Sequence, residues 1–455
     1  MCGLGDLRLS RFVHFIRLGE CTAIYNAMNM AVLFLGNETA GKIQEGNWSP
    51  ESERDKELVK KAAEEGILVA LNNDDLSDYR EIQGQLSTLP ISILYLLTTD
   101  QCNFACRYCF IEGSFPVGHV ASQMTPEVAK KGVDLYAQAI VRNPSSKRKR
   151  VIFYGGEPLL NFTTMVAAVE YIEELKSNGS LPKEVGLSLN TNASVVTSEI
   201  AQFLAGHQIT ASVSLDGRKI AHNRERIFHS GEGTFDTTLR GFMLLKKYGV
   251  NVGVSCTIAE SGVDNVEDTI AFITDELGIR SFGFNILRET QASRLTDPEG
   301  YAHKVSNALI RAFKIARDRG VYEDRMMRKV RCFIKRQPYL NDCAGCGSEI
   351  AVSPDGLVGV CHGAVGLKHY FVPLTPEVDP LKHPYWSEWR TRSPFNMPEC
   401  IDCVALGICG GGCPYEALLK EGTIWNLDRR FCVHAKATLE FLIQDLWRQT
   451  KTKTE

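Results

Sequence analysis

Within Asp100-Gln101-Cys102-Asn103-Phe104-Ala105-Cys106-Arg107-Tyr108-Cys109-Phe110, three cysteines stand at C-x3-C-x2-C spacing, just after the apolar run Ile91 to Leu97. A cubane [4Fe-4S] cluster takes one thiolate per iron, so three close thiolates can hold three irons and leave the fourth open to a substrate or cofactor. The ordinary alternatives are buried core cysteines and a structural zinc, which three cysteines would leave one ligand short. A second concentration lies downstream, where nine of the fifteen cysteines fall from Cys332 onward. They include Cys346-x9-Gly356-x4-Cys361, then Cys400-x2-Cys403-x5-Cys409-x3-Cys413, and Cys432. In a long chain without a secretory signal these read as metal or cluster ligands and not as disulfides, although zinc sites of four cysteines use similar spacings. Cys21 and Cys256 lack neighbours of their kind and read as core, and Cys2 at the terminus carries no information.

The elements that must position these residues follow from periodicity. Strands are expected at Ile91 to Leu97, Val151 to Tyr154, Val185 to Asn190, Thr210 to Leu215, Val250 to Thr257 and Ser281 to Ile286. Helices are expected between them, near Pro126 to Val141, Phe162 to Ser177, Ser198 to Ala205, Phe235 to Tyr248, Asn265 to Leu277 and Tyr301 to Arg319. Such alternation implies βα units around a parallel sheet, an α/β fold in which loops at the C-terminal strand ends carry the chemistry. The first cysteines follow strand one and Gly155-Gly156-Glu157-Pro158 follows strand two, at that end. Ser353-Pro354-Asp355-Gly356 is turn chemistry between two apolar strands. Ahead of the barrel, strands are expected at Phe12 to Ile16, Thr22 to Tyr25, Ala31 to Leu35 and Ile67 to Leu71, with a helix from about Glu53 to Glu65. Asn72 to Leu89, acidic and polar, reads as a linker.

C-x3-C-x-aromatic-C after a first barrel strand resembles the signature of the radical S-adenosylmethionine (radical SAM) enzymes. The resemblance implies a partial (β/α)6 barrel whose cluster, on Cys102, Cys106 and Cys109, binds SAM at its open iron and cleaves it to a 5′-deoxyadenosyl radical. Gly155, Gly156, Glu157 and Pro158 are similar to the family segment that holds the methionine ammonium group; glycine admits a close backbone approach and a carboxylate accepts from a cation. Asn190, Thr191 and Asn192 after strand three, and Ser214 to Asp216 after strand four, resemble segments near the SAM ribose and the substrate; singly they could be caps or Asx turns. The C-terminal array is similar to the SPASM domain of peptide-modifying radical SAM enzymes. That implies two auxiliary [4Fe-4S] clusters, three in all. One would take Cys346, Cys361 and Cys413, its fourth ligand being Cys343, Cys332 or an open site; the other would take Cys400, Cys403, Cys409 and Cys432. The implied organisation is a leader-peptide recognition element of winged-helix-like pattern at 1–85, the barrel at 86–325 and the SPASM domain at 326–455. A structural cap on the barrel is the plainer use of 1–85.

With 455 residues, 44% hydrophobic and 23% charged, the chain reads as a globular protein of two or three domains. A net charge of −3 leaves no footprint for nucleic acid or an anionic membrane, and the basic run at Lys147 to Arg150 reads as a solvated loop. No apolar run approaches the roughly 18 residues of a membrane span, and a cytoplasmic location is expected. The leading expectation is a maturase that cross-links a ribosomally made, leader-bearing precursor peptide, through a thioether or a carbon–carbon bond. It would be reduced by a flavodoxin or ferredoxin. Asp216 and His362 are the candidate catalytic residues. The related sulfatase maturases, which make formylglycine, carry Asp where His362 follows Cys361, so this position weakens that alternative. An iron–sulfur carrier without a substrate would not need the Gly-Gly-Glu-Pro segment.

Overall fold

A computed structural model describes residues 6–146, 149–289 and 294–451. The chain opens with β1 (Leu7–Leu9), β2 (Val13–Arg17), β3 (Cys21–Asn26) and β4 (Val32–Gly36), followed by α1 (Asn37–Gln44), α2 (Glu53–Glu64), β5 (Leu68–Ala70) and α3 (Ser77–Leu86). β2, β3 and β4 form an antiparallel sheet, β1 pairs with β5, and β4 is an edge with no strand beside it among the described residues. β1 and α1 were not expected. More consequential is α3, which replaces most of the expected linker. Leu76, Tyr79, Ile82 and Leu86 recur at helical spacing among the acidic residues. Tyr79 inserts between Phe12, at 6.0 Å, and Phe395, at 5.5 Å. This helix therefore ties the opening segment to the C-terminal region.

The barrel runs β6 (Ile93–Thr99), α4 (Pro126–Arg142), β7 (Arg150–Gly155), α5 (Phe162–Ser177), β8 (Gly186–Thr191), α6 (Ser198–Gly206) and β9 (Thr210–Ser214). It continues through α7 (Lys219–Glu225), α8 (Phe235–Lys247), β10 (Val252–Ile258), α9 (Val266–Ala271), β11 (Ser281–Ile286), α10 (Pro298–Asp318), β12 (Tyr322–Glu323) and α11 (Asp324–Lys335). Neighbours from β6 to β12 pair in parallel, in sequence order. Helix starts follow local chemistry: Thr125 and Thr197 accept from the Val128 and Ile200 amides, and Asp297 accepts from Gly300. After α9 the helix widens into a π turn over Phe272–Glu276, where one regular helix was expected. Of the basic run, Lys147 and Arg148 lie outside the described residues; Lys149 pairs with Glu184, and Arg150 starts β7.

The C-terminal part adds β13 (Glu349–Val352), β14 (Leu357–Gly359), β15 (Phe371–Pro373), α12 (Pro384–Thr391), α13 (Leu406–Cys409), α14 (Pro414–Glu421) and α15 (Arg429–Lys451). The turn at Ser353 to Gly356 forms as expected, with Gly356 at φ +79°. β13 pairs in parallel with β6, Leu94 facing Ile350, so one ten-stranded sheet runs from the barrel into this hairpin. Helix α4 lies close over the junction: a Cβ on Gly132 would stand 2.9 Å from Val352 and 3.2 Å from Leu96. α15 returns along α10 through Phe313 against Phe441 and Arg317 paired with Asp445. Among the described residues no helix is long and apolar enough to cross a membrane.

Candidate active site

The loop after β6 is held from two sides. Ala105 and Arg107 donate backbone hydrogen bonds to Ile227 and Glu225, at 2.8 and 2.9 Å. Tyr108, between the second and third cysteines, turns its hydroxyl onto Asp216. Asp216 also accepts from Arg226 Nε at 2.8 Å and from the Thr257 amide at 2.8 Å. Behind it His222, wholly buried, accepts from the Asp216 amide and bonds Thr234; burial, then the Arg226 charge, lower its pKa to about 3. Asp216 is thus 7% exposed and committed on both oxygens. Through Tyr108 it braces the cysteine loop.

Gly155 and Gly156 lie where β7 crosses the same loop. A Cβ on Gly155, at φ +137°, would stand 2.0 Å from the Thr99 carbonyl oxygen, and one on Gly156 2.1 Å from that of Gln101. The Gly156 and Glu157 amides donate to those two carbonyls at 2.8 Å. The glycines therefore serve backbone-to-backbone contact as well as the cavity they line. Glu157, 1% exposed, does not line it. Its carboxylate accepts from Thr191 Oγ1 and the Asn192 amide, each at 2.7 Å, and from the Leu159 amide at 3.2 Å. Burial pushes its pKa up to about 7 against those bonds. Pro158 opens a short 3₁₀ turn and also stays out of the cavity. Glu157 fixes Thr191 and Asn192, which face the cavity.

That cavity, about 390 Å³, joins both cysteine regions. It is lined by Cys102, Cys106 and Cys109 with Gly155, Gly156, Asn190, Thr191, Asn192 and Ser214, and also by Cys343, Cys413 and His362. His362 stacks on Tyr95, ring centres 4.1 Å apart, and its Nδ1 lies 2.8 Å from Glu349 Oε1, which also accepts from the His362 amide at 2.6 Å. Glu349 Oε2 is buried without a partner. Asn192 reaches Cys102 Sγ at 3.8 Å and Asn103 at 3.0 Å.

The downstream cysteines fall into two groups. A Cβ on Gly345 would lie 3.5 Å from Cys361 Sγ and 3.6 Å from Cys343 Sγ. Burial, then Glu349 and Cys413, push Cys343 up to about 12, and burial, with Cys413 a smaller cause, pushes Cys346 up to about 11. Cys343 thus joins Cys346, Cys361 and Cys413. Cys332 lies on α11. Cys400, Cys403, Cys409 and Cys432 form the second group, burial and then mutual repulsion pushing Cys400 and Cys432 up to about 12. Cys21 and Cys256 are buried, and Cys2 lies outside the described residues. Sulfurs around one tetrahedral zinc at about 2.3 Å stand roughly 3.8 Å apart. Among the described residues no three of these thiols have sulfurs within 4.8 Å of one another. Thiols spread wider than one ion needs suit a larger metal group such as a cubane cluster.

Residues 96–273, from β6 into the π turn after α9, match the Radical SAM superfamily. The chain carries a radical SAM domain. Such a domain implies SAM and one [4Fe-4S] cluster, which the three thiols and the glycine-lined cavity suit. The radical SAM cyclopropyl synthase TigE of Paramaledivibacter caminithermalis is 23% identical over 410 residues, 85% of this chain and 82% of that protein. A serine-type anaerobic sulfatase-maturating enzyme of Klebsiella aerogenes is 23% identical over 348 residues, covering 72% and 80%. Among solved structures, the one described as native anSMEcpe with bound AdoMet matches at TM-score 0.65 and 21% identity, covering 80% of this chain and 100% of its own. Streptococcus suis SuiB bound to its precursor peptide SuiA matches at 0.56 and 16%, covering 94% and 99%. At these identities the solved structures bear on the fold. Residues around the cavity that sequence reasoning missed are Arg226, Glu349 and Arg288. Arg288, a cation two residues past the end of β11, carried a usable signal, since strand ends of such barrels hold the chemistry.

Proposed function

We propose that the protein is a peptide maturase that removes a hydrogen atom from a ribosomally made precursor and closes an intramolecular thioether or carbon–carbon cross-link. The observation that carries this reading is that one cavity is lined both by the cysteine triad and by Cys343, Cys413 and His362. When bound, SAM and the triad's cluster supply a 5′-deoxyadenosyl radical that takes the hydrogen atom. The chain's own residues set the geometry: Tyr108, Asp216 and Arg226 brace the triad, and Glu157 orients Thr191 and Asn192 toward the cavity. His362, held through Nδ1 by Glu349, offers Nε2 for a proton released as the product forms.

The two downstream cysteine groups are read as a SPASM domain with two auxiliary clusters, Cys343 completing the first, for three clusters in all. One auxiliary cluster would accept the electron left when the carbon radical closes its new bond. Residues 1–85 are read as the leader-binding unit, with the free edge of β4 as the strand that a leader would extend. The pairing of SuiB with SuiA and the maturase names among the relatives are consistent with a peptide substrate. A flavodoxin or ferredoxin would supply the reducing electron in the cytoplasm.

The test is to incubate enzyme, SAM and reductant with the precursor encoded beside it and, separately, with a sulfatase-motif peptide, followed by tandem mass spectrometry. A cross-link leaves the first peptide about 2 Da lighter, with two side chains joined and no new carbonyl. An aldehyde on the sulfatase peptide, with the first untouched, would assign formylglycine formation instead.

A further inference from the structure

Four arginines line the cavity, and three are committed: Arg226 to Asp216, Arg325 to Asp342 and Arg328 to Asp324. Arg288 is different. Among the described residues it forms no ion pair, and its Nη1 is buried without a hydrogen-bond partner. The guanidinium carbon lies 4.4 Å from the centre of the Phe110 ring, next in sequence to Cys109. Its Nη1 lies 3.2 Å from the point where a Cβ on Gly363 would stand, and that point is 3.5 Å from Cys361 Sγ. Glycine at 363 keeps this approach open.

A guanidinium drawn part-way out of water without an ion pair is costly. Cys343 and Cys413, of the same cysteine group as Cys361, line the cavity together with Arg288. Arg392 and Arg430, the other cations beside that group, spend their donors elsewhere, Arg392 on the Ile424, Gly411 and Asn426 carbonyls and Arg430 on Asp428 and Leu287. Glu349 opposes them from beside Cys343 and Cys361. A cubane held by four thiolates is a dianion when oxidised and gains one more negative charge on reduction. A nearby cation therefore favours the reduced form, and net charge and hydrogen bonds to sulfur are established levers on cluster potential.

We propose that Arg288 is the counter-cation of the cluster held by Cys343, Cys346, Cys361 and Cys413, and that it raises that cluster's reduction potential from the side facing the radical cavity. The inference rests on the proposed reading of that group as a cluster. It makes Arg288 a positioning residue for electron acceptance, acting through the cluster without touching the reacting atoms.

The test is a redox titration of anaerobic holoenzyme followed by electron paramagnetic resonance, for the wild type, Arg288→Met and Arg288→Lys. Cys343→Ala identifies the signal that belongs to this cluster. Arg288→Met is expected to move that signal to lower potential and Arg288→Lys to restore most of the difference, while the signal of the Cys400 group stays in place. Loss of about four irons in Arg288→Met but not in Arg288→Lys would also support a counter-charge. With full iron, an unmoved midpoint in Arg288→Met overturns the role of Arg288 alone. Loss of the cluster in both variants overturns it too, since shape and not charge would then matter. Wild-type protein without this cluster would overturn the reading of the cysteine group itself, which the iron count shows before any titration.

Discussion

Replacing Gly156 with alanine tests whether the β7 turn and the cysteine loop are held by direct backbone contact. The new Cβ would lie 2.1 Å from the Gln101 carbonyl oxygen, 2.4 Å from its carbon and 2.9 Å from the Asp100 oxygen. Real Cβ contacts stay beyond about 3 Å, so the loop must retreat by roughly 1 Å, and the obstacle is backbone that no rotamer change can move. Two hydrogen bonds of 2.8 Å, from Gly156 to Thr99 and from Glu157 to Gln101, span that contact. Losing them costs about 1 kcal/mol each and overpacking adds about 1 to 3 kcal/mol. A loss of roughly 3 to 5 kcal/mol follows, placed at the residue before Cys102. Anaerobic iron content and the electron paramagnetic resonance signal of the triad's cluster are the readout. Gly186→Ala serves as a control, because its Cβ would meet nothing nearer than 3.6 Å. Gly156→Ala with the triad's cluster intact and an unfolding midpoint like the control's would refute the contact argument.

Three further outcomes are expected. Cys343→Ala should lose about four irons per chain while Cys332→Ala loses none; the reverse would reassign the fourth ligand. Arg226→Met leaves Asp216 buried and unpaired and should destabilise by about 3 to 5 kcal/mol, and adding Asp216→Asn should recover much of it; additive losses in a double-mutant cycle would contradict the pairing. His222, folded at about 3 against about 6.5 unfolded, binds its proton in the unfolded chain first. Its contribution is therefore complete above about pH 6.5 and is lost as pH falls toward 3, by roughly 5 kcal/mol. Acid unfolding of His222→Gln should be shallower in that window, and an unchanged acid limb would count against the buried neutral imidazole.

The barrel was legible because its signals are local. Apolar runs bounded by turns placed six strands within two residues of their observed starts and ends, and Ser281 to Ile286 is the same in both. The cysteine triad and the two glycines were legible because spacing and turn chemistry encode them. What failed was long-range. The helix at Ser77–Leu86 hid in an acidic stretch because only its buried stripe, Tyr79 foremost, is apolar. The strand Glu349–Val352 reads locally as half of a hairpin, and nothing in its own residues announces that it pairs with Ile93 to Leu96. Asp216 and Glu157 looked like free carboxylates because their partners, Arg226 and Tyr108 for one and Thr191 and Asn192 for the other, become neighbours only on folding.

Iron content and cofactor cleavage in one preparation test the three-cluster reading most directly. Protein purified without oxygen should carry about 12 irons per chain, four for each of three cubanes, and release 5′-deoxyadenosine from SAM under reductant. With Cys102, Cys106 and Cys109 changed together to alanine, about eight irons should remain and 5′-deoxyadenosine should vanish. Zinc in place of iron, or SAM cleavage that survives the triple substitution, would contradict the account.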